Sequence, residues 1–396
     1  MVRTGLLASL ASVLAGVGAL AGGGTAAHAA ADPLHEVVAA SGRPIPGAYI
    51  VTLADGVEPL GFARSLQASP RFVYSAALTG FAATLNEGQL KALQRSPQVR
   101  SIEQDQVATV SADLEPFATQ TVAAGGGLYG LDRVDQRRLP LSGSYTYTAT
   151  AGNVAAYVID TGIATGHPNF GGRAKNVYDA FGGNGQDCNG HGTHVAGTIG
   201  GRTFGVAKQV TLLGVRVLDC AGSGSNSGVI AGVDWVRARA SKPAVANISL
   251  GGGYSSALNT AVSALASSGV SVAVAAGNDY GADACNSSPA SASGVLTVAA
   301  SNKTDGRAGF SNVGSCVELY APGVGITSTW LNSGKQTLSG TSMASPHVAG
   351  LMALYKASGD KSSSAVNRWI VSNATSGVIS GNPSGTPNRL LFKGSL

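Results

Sequence analysis

The chain has 396 residues, of which 44% are hydrophobic and only 12% are charged, and its formal net charge is +5. This length allows more than one domain and a large buried core, while the low charge and high apolar content exclude a disordered chain. The basic residues are scattered along the sequence, so we expect solvated surface charge rather than a nucleic-acid-binding face.

The first 30 residues are typical of a secretory signal peptide. Arg3 precedes an apolar run from Leu6 to Leu20, and the small residues Ala27 and Ala29 follow it. No charged stop-transfer pattern comes next, and no other apolar stretch has the length of a membrane span. The sequence therefore predicts a secreted, extracellular protein without a membrane partner.

The cysteine count fits an oxidising compartment. An even number in a secreted chain favours two disulfides over free thiols, although the count alone leaves three pairings open. A zinc site is disfavoured because no Cys-x-x-Cys pair occurs. The four residues are Cys188, Cys220, Cys285 and Cys316.

Residues from about 44 to 110 have the pattern of a small α/β unit. Strand-like and helix-like segments alternate there in the order βαββαβ, which is the order of a ferredoxin-like fold. The stretch "EPFATQTVAAGGGLYG" that follows has few side chains able to pack. We interpret it as an exposed connector that is open to cleavage.

From about residue 130 the sequence predicts a second, larger α/β domain. Segments such as "NVAAYVIDTG", "PAVANISLGGG" and "VSVAVAAGND" are nearly continuous apolar runs, and helical segments such as "NSGVIAGVDWVRARA" separate them. Strands that are apolar on both faces belong to a mostly parallel sheet with helices on both faces. Ligand-binding loops are then expected at the carboxyl ends of the strands.

Three residues of this domain suggest nucleophilic catalysis. Asp160 ends a strand, His191 begins a helix between two glycines, and Ser342 precedes the helical pattern of "HVAGLMALYKAS". Each has an ordinary alternative, since Ser is a common helix N-cap and Asp often bonds loop amides. Together they supply the alcohol, the imidazole and the carboxylate of acyl transfer, in the chain order Asp, His, Ser.

The blocks "VIDTGI", "GHGTHVAG", "SLGGG", "AAGND" and "SGTSMASPHVAG" resemble the subtilase family of serine proteases, in its proteinase K branch. The resemblance covers residues 118–396, and residues 44–110 resemble the inhibitor-type propeptide of the same family. It implies a subtilisin-like α/β fold behind a small ferredoxin-like α+β propeptide. The implied division is signal 1–30, propeptide 31–117 and catalytic domain 118–396.

The resemblance also implies residue roles. Ser342 would be the nucleophile, His191 the general base and then acid, and Asp160 the group that orients the imidazole. Asn278 would donate one oxyanion hydrogen bond and the N–H of Ser342 the other. His167, His194 and His347 are expected to be structural, because the mechanism needs one imidazole.

Two glycine-rich segments are expected to form the substrate cleft. Their exposed backbone allows an extended peptide to add as a strand between them, which selects weakly for sequence. Ordinary loop turns are the alternative. The predicted substrate-binding residues are Gly222, Ser223, Gly224, Ser249, Leu250 and Gly251.

The resemblance further implies two disulfides, Cys188 with Cys220 and Cys285 with Cys316, and structural Ca²⁺ without an organic cofactor. One oxygen-rich segment supplies a first predicted calcium site, and a second set departs from the family pattern through a Glu and a Ser. The predicted ligands are Asp132, Asp135, Gln136, Ser142 and Ser144 for the first site, and Ser293, Val295 and Glu318 for the second.

The sequence therefore predicts a secreted serine endopeptidase with broad specificity for protein and peptide substrates. It is expected to be a monomer made as a precursor, whose propeptide strand occupies the cleft until cleavage near Phe117-Ala118. Two alternatives remain: a catalytically silent module that only binds peptides, and a secreted esterase. No G-x-S-x-G motif occurs, which counts against an ordinary lipase or esterase.

Overall fold

A computed structural model describes residues 35–110 and 128–396. The predicted signal peptide and the bond Phe117-Ala118 lie outside these residues. The helices, in chain order, are α1 (Pro59–Ser65), α2 (Glu87–Gln94), α3 (Tyr129–Asp135), α4 (His191–Gly200), α5 (Asn226–Arg239), α6 (Ser256–Ser267), α7 (Thr341–Lys356) and α8 (Ser363–Asn373).

The strands follow the same numbering by chain order. They are β1 (Val37–Val38), β2 (Pro44–Leu53), β3 (Pro70–Tyr74), β4 (Gly80–Thr84), β5 (Val99–Val110), β6 (Ala155–Asp160), β7 (Ala174–Asp179), β8 (Thr211–Arg216), β9 (Ser223–Ser225), β10 (Ala244–Ile248), β11 (Leu250–Gly253), β12 (Ser271–Ala275), β13 (Ser287–Ser288), β14 (Leu296–Ser301), β15 (Leu319–Pro322), β16 (Ile326–Thr329), β17 (Lys335–Leu338), β18 (Thr375–Ser376) and β19 (Arg389–Leu390).

The N-terminal unit has the predicted βαββαβ order. Strands β5, β2, β4 and β3 lie side by side and pair antiparallel, while α1 and α2 cover one face. Local sequence sets the start of α2, where Asn86 and Gln89 exchange hydrogen bonds in a capping box. The core under these helices includes the buried Val51, Phe81 and Ile102.

The larger unit is built on a nine-stranded sheet, as far as the described residues show, in the order β18-β19-β15-β14-β12-β10-β6-β8-β7. All its pairs are parallel apart from β18 with β19. Every residue of β6 is buried, and its side chains alternate between two cores. Val158 packs in the core with α4 and α7, and Ile159 packs in the core with α5 and α6. Helices therefore cover both faces, and the predicted fold class is confirmed.

Strands β15, β16 and β17 were not predicted from the sequence, because each has too few apolar residues in a row to form a clear pattern. Strand β15 has four residues, and in the β16–β17 hairpin Lys335 and Thr337 are exposed. The hairpin packs against α4, which carries His191. Within the described parts of the chain, no helix has the length and apolar character needed to cross a membrane.

Candidate active site

Asp160 and His191 form a buried pair at the carboxyl edge of the main sheet. Asp160 is the last residue of β6, and His191 is the first residue of α4, whose N-cap Gly190 has φ of +107°. The Nδ1 of His191 donates to Asp160 Oδ1 at 2.7 Å. A carboxylate oxygen accepts this bond, so Nδ1 carries a proton and Nε2 is the ring nitrogen left for another partner.

The loop before His191 is held by a carboxylate that the sequence analysis missed. Asp187 Oδ1 accepts from the N–H of Gly190 and from the hydroxyl of Thr161, both at 2.9 Å. Its other oxygen accepts from the N–H of Thr193 at 2.9 Å. Asp187 therefore ties the start of α4 to the residue after Asp160. Asp187 lies four residues before His191, and no motif in the sequence marks it as a functional residue in its own right.

Ser342 is the second residue of α7 and is fully buried. Its hydroxyl donates to the carbonyl of Ser249 at 2.9 Å, and the hydroxyl of Ser249 donates to the carbonyl of Ser342 at the same distance. Ser249 directly follows β10, which pairs with β6 up to the residue before Asp160. The serine thus lies at the same sheet edge as the Asp160–His191 pair.

The hydroxyl of Ser342 is not hydrogen-bonded to His191 in this structure. The Nε2 of His191 is buried and has no hydrogen-bond partner among the described residues. A rotation of the Ser342 side chain away from Ser249 is therefore needed before the imidazole can accept its proton. Catalytic hydrogen bonds are often unmade until substrate binds, so this geometry is compatible with a nucleophile.

Asn278 lies beyond the end of β12, the strand next to β10. Its Oδ1 accepts from the N–H of Thr341 at 3.0 Å and from the hydroxyl of Thr341 at 2.9 Å. Because a backbone N–H can only donate, this contact identifies Oδ1 and makes the NH₂ group the donor end of the amide. The first N–H groups of a helix lack intrahelical acceptors, so the N–H of Ser342 is a second donor at this edge.

Three other histidines of the main domain hold backbone in place. His194 donates from Nε2 to the carbonyl of Ile326 at 3.0 Å, and burial lowers its pKa to about 3. His347 contacts the carbonyl of Met343 through Nδ1 at 2.8 Å, and burial lowers its pKa to about 4. His167 bonds the carbonyl of Gly334. These contacts are structural.

The end of β5 lies between the two segments that the sequence analysis assigns to the cleft. On one side Thr109 is opposite Ser223, Ala108 is opposite Gly224, and Val110 donates from its N–H to Gly222 at 3.0 Å. On the other side Val110 is opposite Leu250, and Thr109 is opposite Gly251. The chain therefore inserts its own strand between the two segments that are predicted to bind substrate.

Two carboxylates of β5 fasten this strand to helix N-termini of the larger unit. Glu103 accepts from the N–H of Ala257 at 2.9 Å and from the hydroxyl of Ser255 at 2.8 Å, at the start of α6. Asp105 accepts from the N–H of Ser227 at 3.1 Å, at the start of α5. Burial raises the pKa of both carboxyl groups. The helix N-termini favour negative charge and partly offset this desolvation.

Both disulfides have the pairing that the resemblance implies. Cys188 is bonded to Cys220, and Cys285 is bonded to Cys316. The first bond joins the loop before His191 to the segment that begins the cleft wall at Gly222. The two-disulfide prediction is confirmed.

Oxygen atoms of the first predicted calcium segment lie close together. The hydroxyl of Ser142 is 2.9 Å from Asp132 Oδ1 and 2.9 Å from the hydroxyl of Ser144. Gln136 Oε1 accepts from the N–H of Ser142 at 2.9 Å. Carboxylate, amide and hydroxyl oxygens are ligands that Ca²⁺ takes, so these four residues fit the ion.

The fifth predicted ligand of this segment has other partners. Asp135 accepts from the N–H of Thr146 at 2.7 Å and forms an ion pair with Lys393 at 3.0 Å. Across the described ranges, no group of three or more His, Cys, Asp or Glu residues is gathered as a metal site. To bind Ca²⁺, Asp135 would first have to break its ion pair with Lys393.

The residues of the second predicted calcium set have other contacts. Glu318 accepts from the N–H of Thr297 at 2.6 Å, and burial raises its pKa to about 7. Ser293 bonds the hydroxyl of Ser263, and Val295 is buried. The second site stays a prediction.

Comparison with known proteins identifies the family. A family model described as "Subtilase family" matches residues 152–390, and one described as "Peptidase inhibitor I9" matches residues 63–111. The chain therefore belongs to the subtilase family of serine proteases, and it carries an I9 inhibitor segment ahead of the subtilase domain.

Individual relatives agree with this assignment. An "Alkaline serine exoprotease A" of Vibrio alginolyticus is 51% identical over 81% of this chain, which spans 59% of that protein's length. An "Extracellular serine proteinase" of Thermus sp. (strain Rt41A) is 56% identical over 72% of this chain and 67% of that protein. A cold adapted subtilisin-like serine proteinase of known structure is 51% identical, with a TM-score of 0.66 over 68% of this chain and 98% of that one.

Proposed function

We propose that the protein is a secreted endopeptidase, made as a precursor that cleaves itself through Asp160, His191 and Ser342. The observation that carries this proposal is the insertion of the chain's own β5 between β9 and β11, beside the sheet edge that holds these three residues. The Thermus relative is an extracellular serine proteinase, which supports secretion. The proposed division is signal 1–30, propeptide 31–117 and a monomeric catalytic domain 118–396.

In the proposed mechanism each of the four side chains acts through a particular atom. The Ser342 hydroxyl turns from Ser249 towards His191, whose Nε2 takes the proton as the oxygen attacks the peptide carbonyl. Asp160 keeps the other ring nitrogen protonated and stabilises the imidazolium that forms. The NH₂ of Asn278 and the N–H of Ser342 stabilise the oxyanion, and His191 then returns the proton to the leaving amine.

The substrates proposed are protein and peptide chains of varied sequence. The contacts that β5 makes with Gly222, Leu250 and Gly251 are main-chain contacts, so an incoming peptide would be selected weakly by its side chains. An apolar or aromatic residue before the scissile bond is the preference proposed from the family.

Reaction with a fluorophosphonate tests the assignment of the nucleophile. The label should form a bond to Ser342 Oγ with loss of fluoride, and peptide mapping should find it within residues 339–350. A His191→Ala variant should lose most of the labelling because the hydroxyl then lacks its base. Labelling confined to another serine of the folded enzyme would exclude the proposed mechanism.

We further propose structural calcium at Asp132, Asp135, Gln136, Ser142 and Ser144, with Ser293, Val295 and Glu318 as a second site. Bound only by the folded state, the ion would stabilise that state without taking part in peptide hydrolysis. A chelator should therefore raise the rate of thermal inactivation several-fold.

An Asp132→Asn variant is the matched control for the first site. It should inactivate faster than the wild type, and the chelator should raise its rate less than that of the wild type, because only the second site would still lose its ion. If the chelator leaves the inactivation rates of both proteins unchanged, the proposal of both calcium sites is contradicted.

A further inference from the structure

One buried residue holds the backbone on both sides of Asn278. Asn312 is fully buried in the loop between β14 and β15. Its backbone N–H donates to the carbonyl of Gly277 at 3.0 Å, and its Oδ1 accepts from the N–H of Asp279 at 2.7 Å. Its Nδ2 also donates to Asp279 Oδ2 at 2.9 Å. Asn312 therefore bonds the residue before Asn278 and the residue after it.

These bonds fix the two peptide units that flank Asn278. The carbonyl of Gly277 belongs to the peptide unit before the Cα of Asn278, and the N–H of Asp279 belongs to the unit after it. Because peptide units are planar, holding a polar group of each unit restricts both backbone dihedral angles of Asn278. The direction of its Cα–Cβ bond, from which the amide side chain extends, is then set by Asn312.

Regular structure does not hold the backbone at this point. Asn278 lies three residues beyond the end of β12 (278 minus 275), outside the ladder of the sheet. Gly277 has φ of +102°, and a Cβ there would lie 2.4 Å from Nδ2 of Asn312. A glycine at position 277 therefore permits the turn and also makes room for the Asn312 side chain.

The amide of Asn278 is thus held from two directions, its Oδ1 by Thr341 and its backbone by Asn312. We infer that Asn312 is a positioning residue, which directs the NH₂ of Asn278 towards the carbonyl oxygen of a substrate attacked by Ser342. This inference rests on the proposed function of Asn278 as an oxyanion donor. A displacement of about 1 Å in such a group costs on the order of a hundredfold in rate.

An Asn312→Ala variant of the processed enzyme tests this role. It keeps the backbone bond to Gly277 but removes the acceptor of the Asp279 N–H. We expect kcat for a chromogenic peptide to fall about tenfold or more while KM stays within about twofold, because the oxyanion forms only in the transition state. A variant that processes itself slowly is cut with immobilised wild-type enzyme, which is then removed.

The same substitution is then made in an Asn278→Ala background. Asn278→Ala alone should lower kcat by about 10²–10³-fold, the loss seen when an oxyanion donor is removed from a serine protease of this family. A residue that acts through the Asn278 amide then has nothing to position, so adding Asn312→Ala should change kcat by less than about twofold. A general loosening of the fold would instead lower kcat by the same factor in both backgrounds.

An exchange of two side chains tests the contact without changing the volume of the site. At neutral pH Asn312→Asp places a carboxylate against that of Asp279, so kcat should again fall about tenfold or more. Adding Asp279→Asn restores one donor and one acceptor between the two positions. The double variant should therefore regain a kcat within about threefold of the wild type.

An Asn388→Ala variant is the matched control. Asn388 precedes β19, near one edge of the main sheet, and bonds the N–H and the carbonyl of Ile379 through its amide, both at 2.9 Å. Loss of these bonds should lower the melting temperature of the inhibited enzyme and leave kcat within about twofold.

Two kinds of result would overturn the inference. A wild-type kcat in Asn312→Ala, an equal fall in kcat in both backgrounds, or an exchanged variant no faster than Asn312→Asp would exclude the positioning role and leave the oxyanion role of Asn278 intact. If Asn278→Ala itself left kcat unchanged, the proposed oxyanion donor would fail, and the role of Asn312 with it.

Discussion

Replacing Ser342 with alanine should lower peptide hydrolysis by about 10⁶-fold and leave the precursor uncut. The magnitude is the loss seen in serine proteases of this family when the nucleophile is removed, the residual rate coming from the oxyanion donors and binding. The fold should persist, because Ser342 gives up one hydrogen bond, to Ser249, at a position where alanine continues the helix well. Cleavage of a chromogenic peptide and electrophoresis of the precursor measure the two effects.

A Ser358→Ala variant is the matched control, since Ser358 lies just beyond the other end of α7 and its hydroxyl bonds the carbonyl of Tyr355. It should process and hydrolyse peptide like the wild type. Addition of active wild-type enzyme in trans should cut the Ser342→Ala precursor, which shows that its cleavage sites are intact. Processing of Ser342→Ala alone, at the wild-type rate, would contradict the assigned nucleophile.

The sequence predicted the elements whose signal is local and apolar. The bounds of β5 agree with the segment "VRSIEQDQVATV". Strand β6 ends at the predicted Asp160, because a continuous apolar run marks a buried parallel strand. The αL glycine at position 190 also accompanies a recognisable helix start. Such features depend on neighbours within a few residues.

Contacts between distant segments could not be predicted in the same way. The ion pair of Asp135 with Lys393 joins residues 258 positions apart (393 minus 135) and changes the surroundings of a predicted calcium ligand. The bonds of Glu103 and Asp105 to α6 and α5 depend equally on the assembled fold. In the sequence both carboxylates resemble exposed polar residues of a surface strand, and only the docked larger unit makes them buried.

The second large expected effect concerns stability. Arg133, in α3, is fully buried and forms two parallel hydrogen bonds with Asp305, from Nε at 2.6 Å and from Nη2 at 2.9 Å. Its Nη1 also donates to the carbonyl of Gln136. Removing one partner of a buried pair leaves an uncompensated charge, so Arg133→Met should cost about 3–5 kcal/mol of unfolding free energy.

The exposed Arg237 supplies the control, and Arg237→Met should change the unfolding free energy by less than about 0.5 kcal/mol. Denaturant-induced unfolding of the processed enzyme, inhibited at Ser342 to prevent self-digestion, measures both variants. A double variant, Arg133→Met with Asp305→Asn, removes the orphaned carboxylate and should recover part of the loss. If Arg133→Met were no less stable than Arg237→Met, the pair would contribute no net stability and α3 would be held by its apolar contacts, among them those of Leu131 and Val134.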